Sequence, residues 1–81
     1  GMLSQHSREP EDALERQELI EAMQQAITRL SPRQRAAVGA RYYAGLSTAE
    51  AAESLHIAPG TLRWHLSQAW SRLRILLRAY L

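Results

Sequence analysis

The C-terminal part of the chain, from Ser47 to Leu81, has the pattern of two helices joined by a tight turn. Residues 47–50 (STAE) open a short alanine-rich helix, and residues 56–60 (HIAPG) interrupt it. The run that follows, 61–81, contains four arginines and neither Asp nor Glu. This layout is typical of a helix-turn-helix whose second helix lies against a polyanion. Duplex DNA is therefore the first partner to consider.

Length and composition indicate one small domain. A chain of 81 residues buries only about 60–65% of its unfolded surface, so each apolar residue matters for stability. No apolar run is long enough to span a bilayer and no signal peptide is visible, so we expect a cytoplasmic protein without membrane contact. The absence of cysteine excludes disulfides, thiolate catalysis and Cys-type zinc sites. Gly1, which precedes Met2, resembles a residue left by tag removal.

The charge is distributed unevenly along the chain. Residues 1–30 contain three Arg and six acidic residues, whereas residues 31–81 contain seven Arg and two Glu. The first segment therefore carries a net charge of −3 and the second a net charge of +5. The basic segment is the candidate nucleic-acid face.

Helical periodicity and chain breaks predict an all-α domain of four helices with a C-terminal helix-turn-helix and without winged elements. We expect a disordered tail over residues 1–9, which includes the tag residue, and a DNA-binding domain over residues 10–81. The first helix is predicted from about Pro10 to Arg29. Proline suits a first helical position, and the acidic residues that follow complement the helix dipole.

Two capping boxes mark the starts of the middle helices. Ser31 precedes Gln34, and Ser47 precedes Glu50, at the spacing that lets each pair exchange two hydrogen bonds with the backbone. We therefore expect the second helix to begin after Ser31 and the third helix to begin after Ser47.

Small residues indicate where helices end and cross. Gly45 is expected to end the second helix in a left-handed conformation. A close helix crossing is the expected reason for Gly39, which costs roughly 1 kcal/mol relative to alanine inside a helix. Ala51 and Ala52 should let the third helix, predicted over 48–55, approach a neighbouring helix closely.

The fourth helix is predicted to begin at Pro59 or Gly60 and to carry a continuous apolar ridge. At about 100° per residue, six of its side chains fall on one side: Leu62, Leu66, Ala69, Leu73, Leu76 and Tyr80. We expect this ridge in the core. Trp70, Tyr42 and Tyr43 are expected in the core or at its edge.

Arg63, Trp64 and Gln68 lie on the opposite face, near the start of the fourth helix, where a helix-turn-helix contacts bases. Arginine pairs with guanine and glutamine with adenine through two hydrogen bonds each, and an aromatic ring can contact a thymine methyl group. These three residues are the predicted base contacts. A solvated polar face is the simpler alternative, with Trp64 folded back over the turn or covered by a protein partner.

A second set of side chains is predicted to contact DNA phosphates, because arginines, hydroxyls and helix N-termini attract them. The set comprises Arg33, Arg35, Ser47, Thr61, His65, Ser67, Arg72 and Arg74. Arg41 is instead expected to pair with Glu50 or Glu53 across the second and third helices.

No motif indicates an enzyme. The three histidines lack metal-ligand spacing, and no nucleophile-base arrangement, glycine-rich phosphate loop or acid pair stands out. We therefore expect no catalytic residue, no metal, no cofactor and no small-molecule substrate.

Five short blocks follow one another along the chain: residues 30–35 (LSPRQR), 41–47 (RYYAGLS), 52–53 (AE), 60–63 (GTLR) and 72–74 (RLR). In this order they resemble region four of bacterial sigma factors, most closely the small extracytoplasmic-function group. The resemblance spans roughly Glu11 to Leu77.

This resemblance implies a domain that binds the upstream ("minus thirty-five") promoter element and helps a sigma factor direct RNA polymerase to initiate transcription. It also implies contacts with the flap of the polymerase β subunit and with an anti-sigma factor that can sequester the domain. The positions that match the base-reading residues of the family are Arg63, Trp64 and Gln68. Because the family usually has a small or basic pair at Trp64-His65 and often a basic residue at Gln68, the resemblance does not define the DNA sequence.

Two alternatives stay open at this point. Residues 61–66 (TLRWHL) also fit the output domain of LuxR-type regulators, although such domains stop soon after this helix, whereas residues 72–77 continue it here. The alternative of a different class is a protein-interaction module that binds RNA polymerase or an anti-sigma factor through the partly apolar stripe from Trp64 to Ile75.

Overall fold

The computed structural model describes the backbone of residues 2–80 and the side chains of residues 12–80. Over these residues, four α-helices and one π-helical segment follow in order: α1 (Met2–Thr28), α2 (Pro32–Val38), the π-segment (Gly39–Tyr43), α3 (Thr48–Ser54) and α4 (Pro59–Leu76). Residues 2–80 contain no strand. The predicted all-α fold is therefore confirmed.

Helix α1 begins at Met2, well before the start predicted at Pro10. The backbone of residues 2–9 is thus helical where the sequence predicts a disordered tail. The residues before Pro10 include the good helix formers Leu, Gln, Arg and Glu, which favour a helix in this segment. Gly1, which the predicted tail includes, lies outside the described residues.

Helix α2 begins at the predicted capping box. The Gln34 amide donates to the Ser31 hydroxyl at 3.2 Å, and the Ser31 amide donates to the Gln34 side-chain oxygen at 3.0 Å. These two bonds satisfy backbone donors that have no partner within the helix. Pro32 occupies the first turn, where the missing N–H of proline would have no partner within the helix.

The C-terminal end of the second helical run widens into the π-segment. The Ala44 amide donates to the Gly39 carbonyl at 2.9 Å, which closes a five-residue turn. Gly45 then adopts a φ of +71°, and the Leu46 amide donates to the Ala40 carbonyl at 3.2 Å. The predicted left-handed stop at Gly45 is confirmed, whereas the π-segment was not predicted.

Gly39 does not mark a close helix crossing, and that prediction is wrong. A Cβ atom built on Gly39 would meet nothing within 4 Å. Its backbone has φ −60° and ψ −48°, which any residue adopts. Tertiary packing therefore does not require glycine at this position.

We expect Gly39→Ala to stabilise the domain by about 0.4–1 kcal/mol, because alanine loses less backbone entropy on folding and fits the observed conformation. Urea unfolding of the two proteins measures the difference. A lower midpoint for Gly39→Ala would show that this position depends on glycine after all.

Glu50 forms the second predicted capping box, at the start of α3. The Glu50 amide donates to the Ser47 hydroxyl at 3.1 Å, and the Ser47 amide donates to the Glu50 carboxylate at 2.9 Å. Two hydrogen bonds lower the pKa of Glu50 from its ordinary value of 4.5. The bond from the Ser47 backbone has the larger effect, and the bond with the Ser47 side chain has the smaller one. The charged carboxylate is thus stabilised in the folded state.

Glu50→Gln keeps the shape of the cap but removes its charge, so we expect this variant to be less stable than the parent at pH 7. A carboxyl group whose pKa is lower in the folded state contributes its stabilisation fully above its unfolded pKa, and this contribution is lost as the pH falls through the folded pKa. The difference between the two proteins should therefore shrink as the pH falls below 4.5. Urea unfolding at pH 7 and at about pH 3 tests this expectation. A difference that does not change with pH would contradict it.

The core lies where α4 packs against the other three helices. Its buried apolar residues are Ala26, Leu30, Ala37, Val38, Ala51, Ala52, Leu62, Leu66, Ala69, Leu73 and Leu77. Leu62 is the largest side chain that is completely buried. Ala51 and Ala52 are also buried, so the predicted close approach of α3 is confirmed.

The predicted ridge of α4 holds as far as Leu73 and then changes. Leu76 is half-buried, Tyr80 is exposed, and Leu77 takes the buried position instead. The reason is that α4 ends at Leu76, so the regular rotation of 100° per residue does not continue to Tyr80. The prediction of an inward Tyr80 is wrong.

Three aromatic side chains lie further out than predicted. Tyr43 is 72% exposed and Tyr42 is 50% exposed. Trp70 is 39% exposed, and its ring meets that of Tyr42 edge-on at 5.4 Å between centroids. The expected position in the core or at its edge is thus not confirmed for any of the three.

Candidate nucleic-acid interface

The turn between α3 and α4 is a helix stop with a histidine in the left-handed conformation. His56 has a φ of 57°. The Ile57 amide donates to the Ala52 carbonyl at 2.9 Å, and the His56 amide donates to the Glu53 carbonyl at 3.1 Å. This pair of bonds usually accompanies glycine at the position of His56. The left-handed residue ends α3, and the chain continues through Ile57 and Ala58 into α4.

The first turn of α4 presents backbone amides that no side chain caps. Ala58 is the N-cap and provides no side-chain hydrogen bond. The first bond of the helix runs from the Leu62 amide to the Ala58 carbonyl at 3.0 Å. The amides of Gly60 and Thr61 therefore lie at the positive end of the helix dipole, next to the exposed Thr61 side chain.

The three predicted base contacts share the exposed side of the first half of α4. Trp64 is 60% exposed, and Arg63 and Gln68 are also exposed. Trp64 and Gln68 lie one helical turn apart, so their side chains are neighbours. A guanidinium nitrogen of Arg63 lies 3.9 Å from the position of a Cβ on Gly60, so this side chain extends back over the first turn.

Seven of the eight predicted phosphate contacts are exposed: Arg33, Arg35, Ser47, Thr61, Ser67, Arg72 and Arg74. They do not form a single surface. At about 100° per residue, Ser67 and Arg74 share a side of α4 with Arg63, whereas Arg72 lies on the opposite flank. The Ser47 hydroxyl is already an acceptor in the α3 cap.

His65 is the exception, and its placement corrects the predicted phosphate contact. The side chain is only 9% exposed. It lies on the core side of α4, one turn before the buried Ala69, and its ring meets that of Trp64 edge-on at 5.3 Å. A side chain in this position is not available to a phosphate on the outer face.

Arg41 also differs from its prediction. Its guanidinium donates to the Leu46 carbonyl at 3.1 Å and lies over the Tyr42 ring, 5.3 Å from the centroid. The expected partners were Glu50 and Glu53. The left-handed turn at Gly45 brings the Leu46 carbonyl within reach of Arg41. This hydrogen bond stabilises the segment that leads into α3.

The charge of α4 suits a polyanion. Its sequence contains Arg63, Arg72 and Arg74 and no acidic residue, and Arg78 follows shortly after its end. All four arginines are exposed. Among the described residues, no three His, Asp or Glu side chains come together in a way that suits a metal ion. No helix in the described part of the chain is both long enough and apolar enough to cross a membrane.

The family model described as "Sigma-70, region 4" matches residues 20–73. The chain belongs to the sigma-70 region 4 family. The matched segment begins within α1 and includes the helix-turn-helix and most of α4. In sigma factors, region 4 is the domain that binds the minus thirty-five promoter element and contacts RNA polymerase. No curated protein matches the chain significantly.

Two features of this region 4 domain were missed by the sequence analysis. One is an apolar hollow of about 150 Å³ between α1, the π-segment and α4, where Tyr42 and Trp70 meet. The other is a cleft beside the turn that Arg33, His56 and His65 help to line. The residues of each come from separate parts of the chain, so no local sequence pattern indicates them.

Proposed function

We propose that this domain binds duplex promoter DNA at the minus thirty-five element, as part of a sigma factor that directs RNA polymerase to initiate transcription. The observation that carries the proposal is the exposed position of Arg63, Trp64 and Gln68 on an acid-free helix of a sigma-70 region 4 domain. In this proposal the first half of α4 enters the major groove, as in other helix-turn-helix proteins.

Each of the three side chains suits a particular base contact. The Arg63 guanidinium donates two hydrogen bonds to O6 and N7 of guanine, and the Gln68 amide pairs with N6 and N7 of adenine. The Trp64 ring is too exposed to contribute much to the core and contacts a thymine methyl group or a sugar. The site therefore favours a DNA sequence that contains both G·C and A·T base pairs.

Phosphate contacts come from both ends and both flanks of α4. The amides of Gly60 and Thr61 hold a phosphate at the helix N-terminus, and Arg72 and Arg74 contact the two sides of the groove. Arg33 and Arg35 extend this basic surface from α2. These contacts orient the helix and contribute most of the salt-dependent affinity.

The proposed partners besides DNA are the β flap of RNA polymerase core and an anti-sigma factor. The exposed aromatic side chains of Tyr42, Tyr43 and Trp70 support a protein contact, since aromatic residues are enriched in interfaces. This surface is separate from Trp64, so DNA and polymerase can bind together. The proposal is of a binding domain that acts on DNA in the cytoplasm and carries out no catalysis.

A domain that binds only protein is the second candidate. Trp64 and Ile75 are both 60% exposed on the outer face of α4. An apolar stripe of this kind favours a protein partner as well as DNA. On this alternative the arginines are a solvated surface and duplex affinity is negligible.

Salt dependence separates the two candidates. If about four to six arginines neutralise phosphates, the logarithm of the association constant should fall with the logarithm of salt concentration with a slope of about −4 to −5. Fluorescence anisotropy with a labelled duplex at several salt concentrations measures this slope. Arg16→Ala, in the acidic α1, is the control and should leave it unchanged. Negligible duplex binding at low salt would contradict the proposal and favour a protein-only module.

A further inference from the structure

A cleft of about 440 Å³ lies beside the helix-turn-helix, between the start of α2, the turn before α4 and the inner side of α4. Its apolar lining consists of Pro32, Ala36, Leu55 and Ile57. Leu55 and Ile57 are half-buried, so a molecule in the cleft would remove more of their surface from water. The proposed DNA contacts of α4 do not use this apolar surface.

Three basic side chains complete the lining of the cleft. Arg33 comes from α2, His56 from the turn and His65 from α4. No Asp or Glu is among the described residues that line it. Three nitrogen-bearing side chains from separate elements therefore line one apolar cleft, and the Arg33 charge together with the imidazole N–H donors favours an anion.

His65 lines the cleft with a side chain that is only 9% exposed. An imidazole ring carries a nitrogen that donates a hydrogen bond. A carboxylate in the cleft can accept that bond.

We infer that this cleft binds a small organic anion that carries one carboxylate on an aromatic or aliphatic body. The carboxylate lies against Arg33, His56 and His65, and the body covers Leu55 and Ile57. A DNA phosphodiester has no apolar body to cover these side chains, which favours a small carboxylate. This inference goes beyond the proposed DNA binding and does not depend on it.

Benzoate is a suitable probe, and benzamide is its neutral counterpart of nearly the same shape. We expect benzoate to cause saturable shifts in the ¹H–¹⁵N NMR spectrum of the full chain at the amides of the cleft residues. The indole N–H signal of Trp64 should also move, since its ring meets His65. Benzamide should bind about tenfold more weakly, because it lacks the charge that strengthens the hydrogen bonds.

Two variants test the assignment without disturbing the core. Arg33→Gln removes the guanidinium from an exposed position, and His56→Asn keeps a residue that tolerates a positive φ. Each should weaken benzoate binding about tenfold. The matched control is Arg35→Gln, an exposed arginine on α2 outside the cleft lining, which should bind as the parent does.

Three results would overturn the inference. The first is an absence of saturable shifts with benzoate at the cleft. The second is equal binding of benzoate and benzamide, which would show that the negative charge is not required, or equal binding of benzoate and inorganic phosphate, which would show that the apolar body is not required. The third is unchanged benzoate binding by folded Arg33→Gln and His56→Asn. None of these measurements contains DNA, so their failure is distinct from a failure of the proposed function.

Discussion

Arg63→Ala is expected to weaken binding to a preferred duplex by about 1–3 kcal/mol, while binding to random duplexes weakens much less. The reason is the position of Arg63 on the exposed side of α4, where its guanidinium can form two hydrogen bonds with one guanine. Loss of these bonds removes discrimination at one base pair. Titration of a preferred duplex and a scrambled duplex with both proteins, at one salt concentration, measures the effect.

Arg74→Ala is the matched control for this prediction. It removes an exposed arginine from the same helix, farther from the N-terminus that enters the groove. Because its expected contact is a phosphate, Arg74→Ala should weaken all duplexes alike and reduce the salt slope by about one. An equal loss on specific and scrambled DNA for Arg63→Ala would reject Arg63 as a base-reading residue.

Leu62→Ala is expected to lower the free energy of unfolding by about 3–5 kcal/mol. Leu62 is completely buried, one residue before Arg63, so alanine leaves a cavity beneath the start of α4. A domain of this size has a total stability of only about 4–12 kcal/mol. Urea unfolding followed by circular dichroism should therefore show a large fall in the midpoint, or a protein that is partly unfolded in buffer.

Ile75→Ala is the control for the core substitution. It shortens a large aliphatic side chain on the same helix, but Ile75 is 60% exposed. The free energy of unfolding of Ile75→Ala should stay within about 0.5 kcal/mol of that of the parent. If Ile75→Ala and Leu62→Ala had similar effects, the orientation of α4 described above would be incorrect.

The starts and ends of the middle helices could be predicted because their signals are local. The capping boxes of Ser31 with Gln34 and of Ser47 with Glu50 each lie within a single turn, and the structure forms both. The left-handed residues Gly45 and His56 were also found where the sequence places the breaks. Such features depend on a few neighbouring residues and little on the rest of the fold.

Features that depend on tertiary packing were predicted less well. The inward ridge holds as far as Leu73 because the helical period fixes it, but it does not reach Tyr80 because α4 ends earlier. The aromatic residues Tyr42 and Tyr43 end the π-segment, whose wider turn changes the directions of its side chains from those of an α-helix. A period of 3.6 residues cannot anticipate that change.

In the candidate site, too, the features that depend on local sequence were predicted and those that depend on tertiary packing were not. The exposure of Arg63, Trp64 and Gln68 follows from their positions opposite the ridge, so the helical period alone was sufficient to place them. His65 was predicted to contact a phosphate but is buried, next to a cleft that α2 and the turn complete. Only the packing of three elements shows that this residue belongs to a different surface.

Selection of bound duplexes from a random pool shows whether α4 reads a DNA sequence. If the outer face of α4 reads DNA, the parent protein should enrich one motif, and Arg63→Ala should lose the preference at a single position within it. Trp64→Ala should change the preference at a neighbouring position. Enrichment of no motif by a protein that is folded would contradict the account.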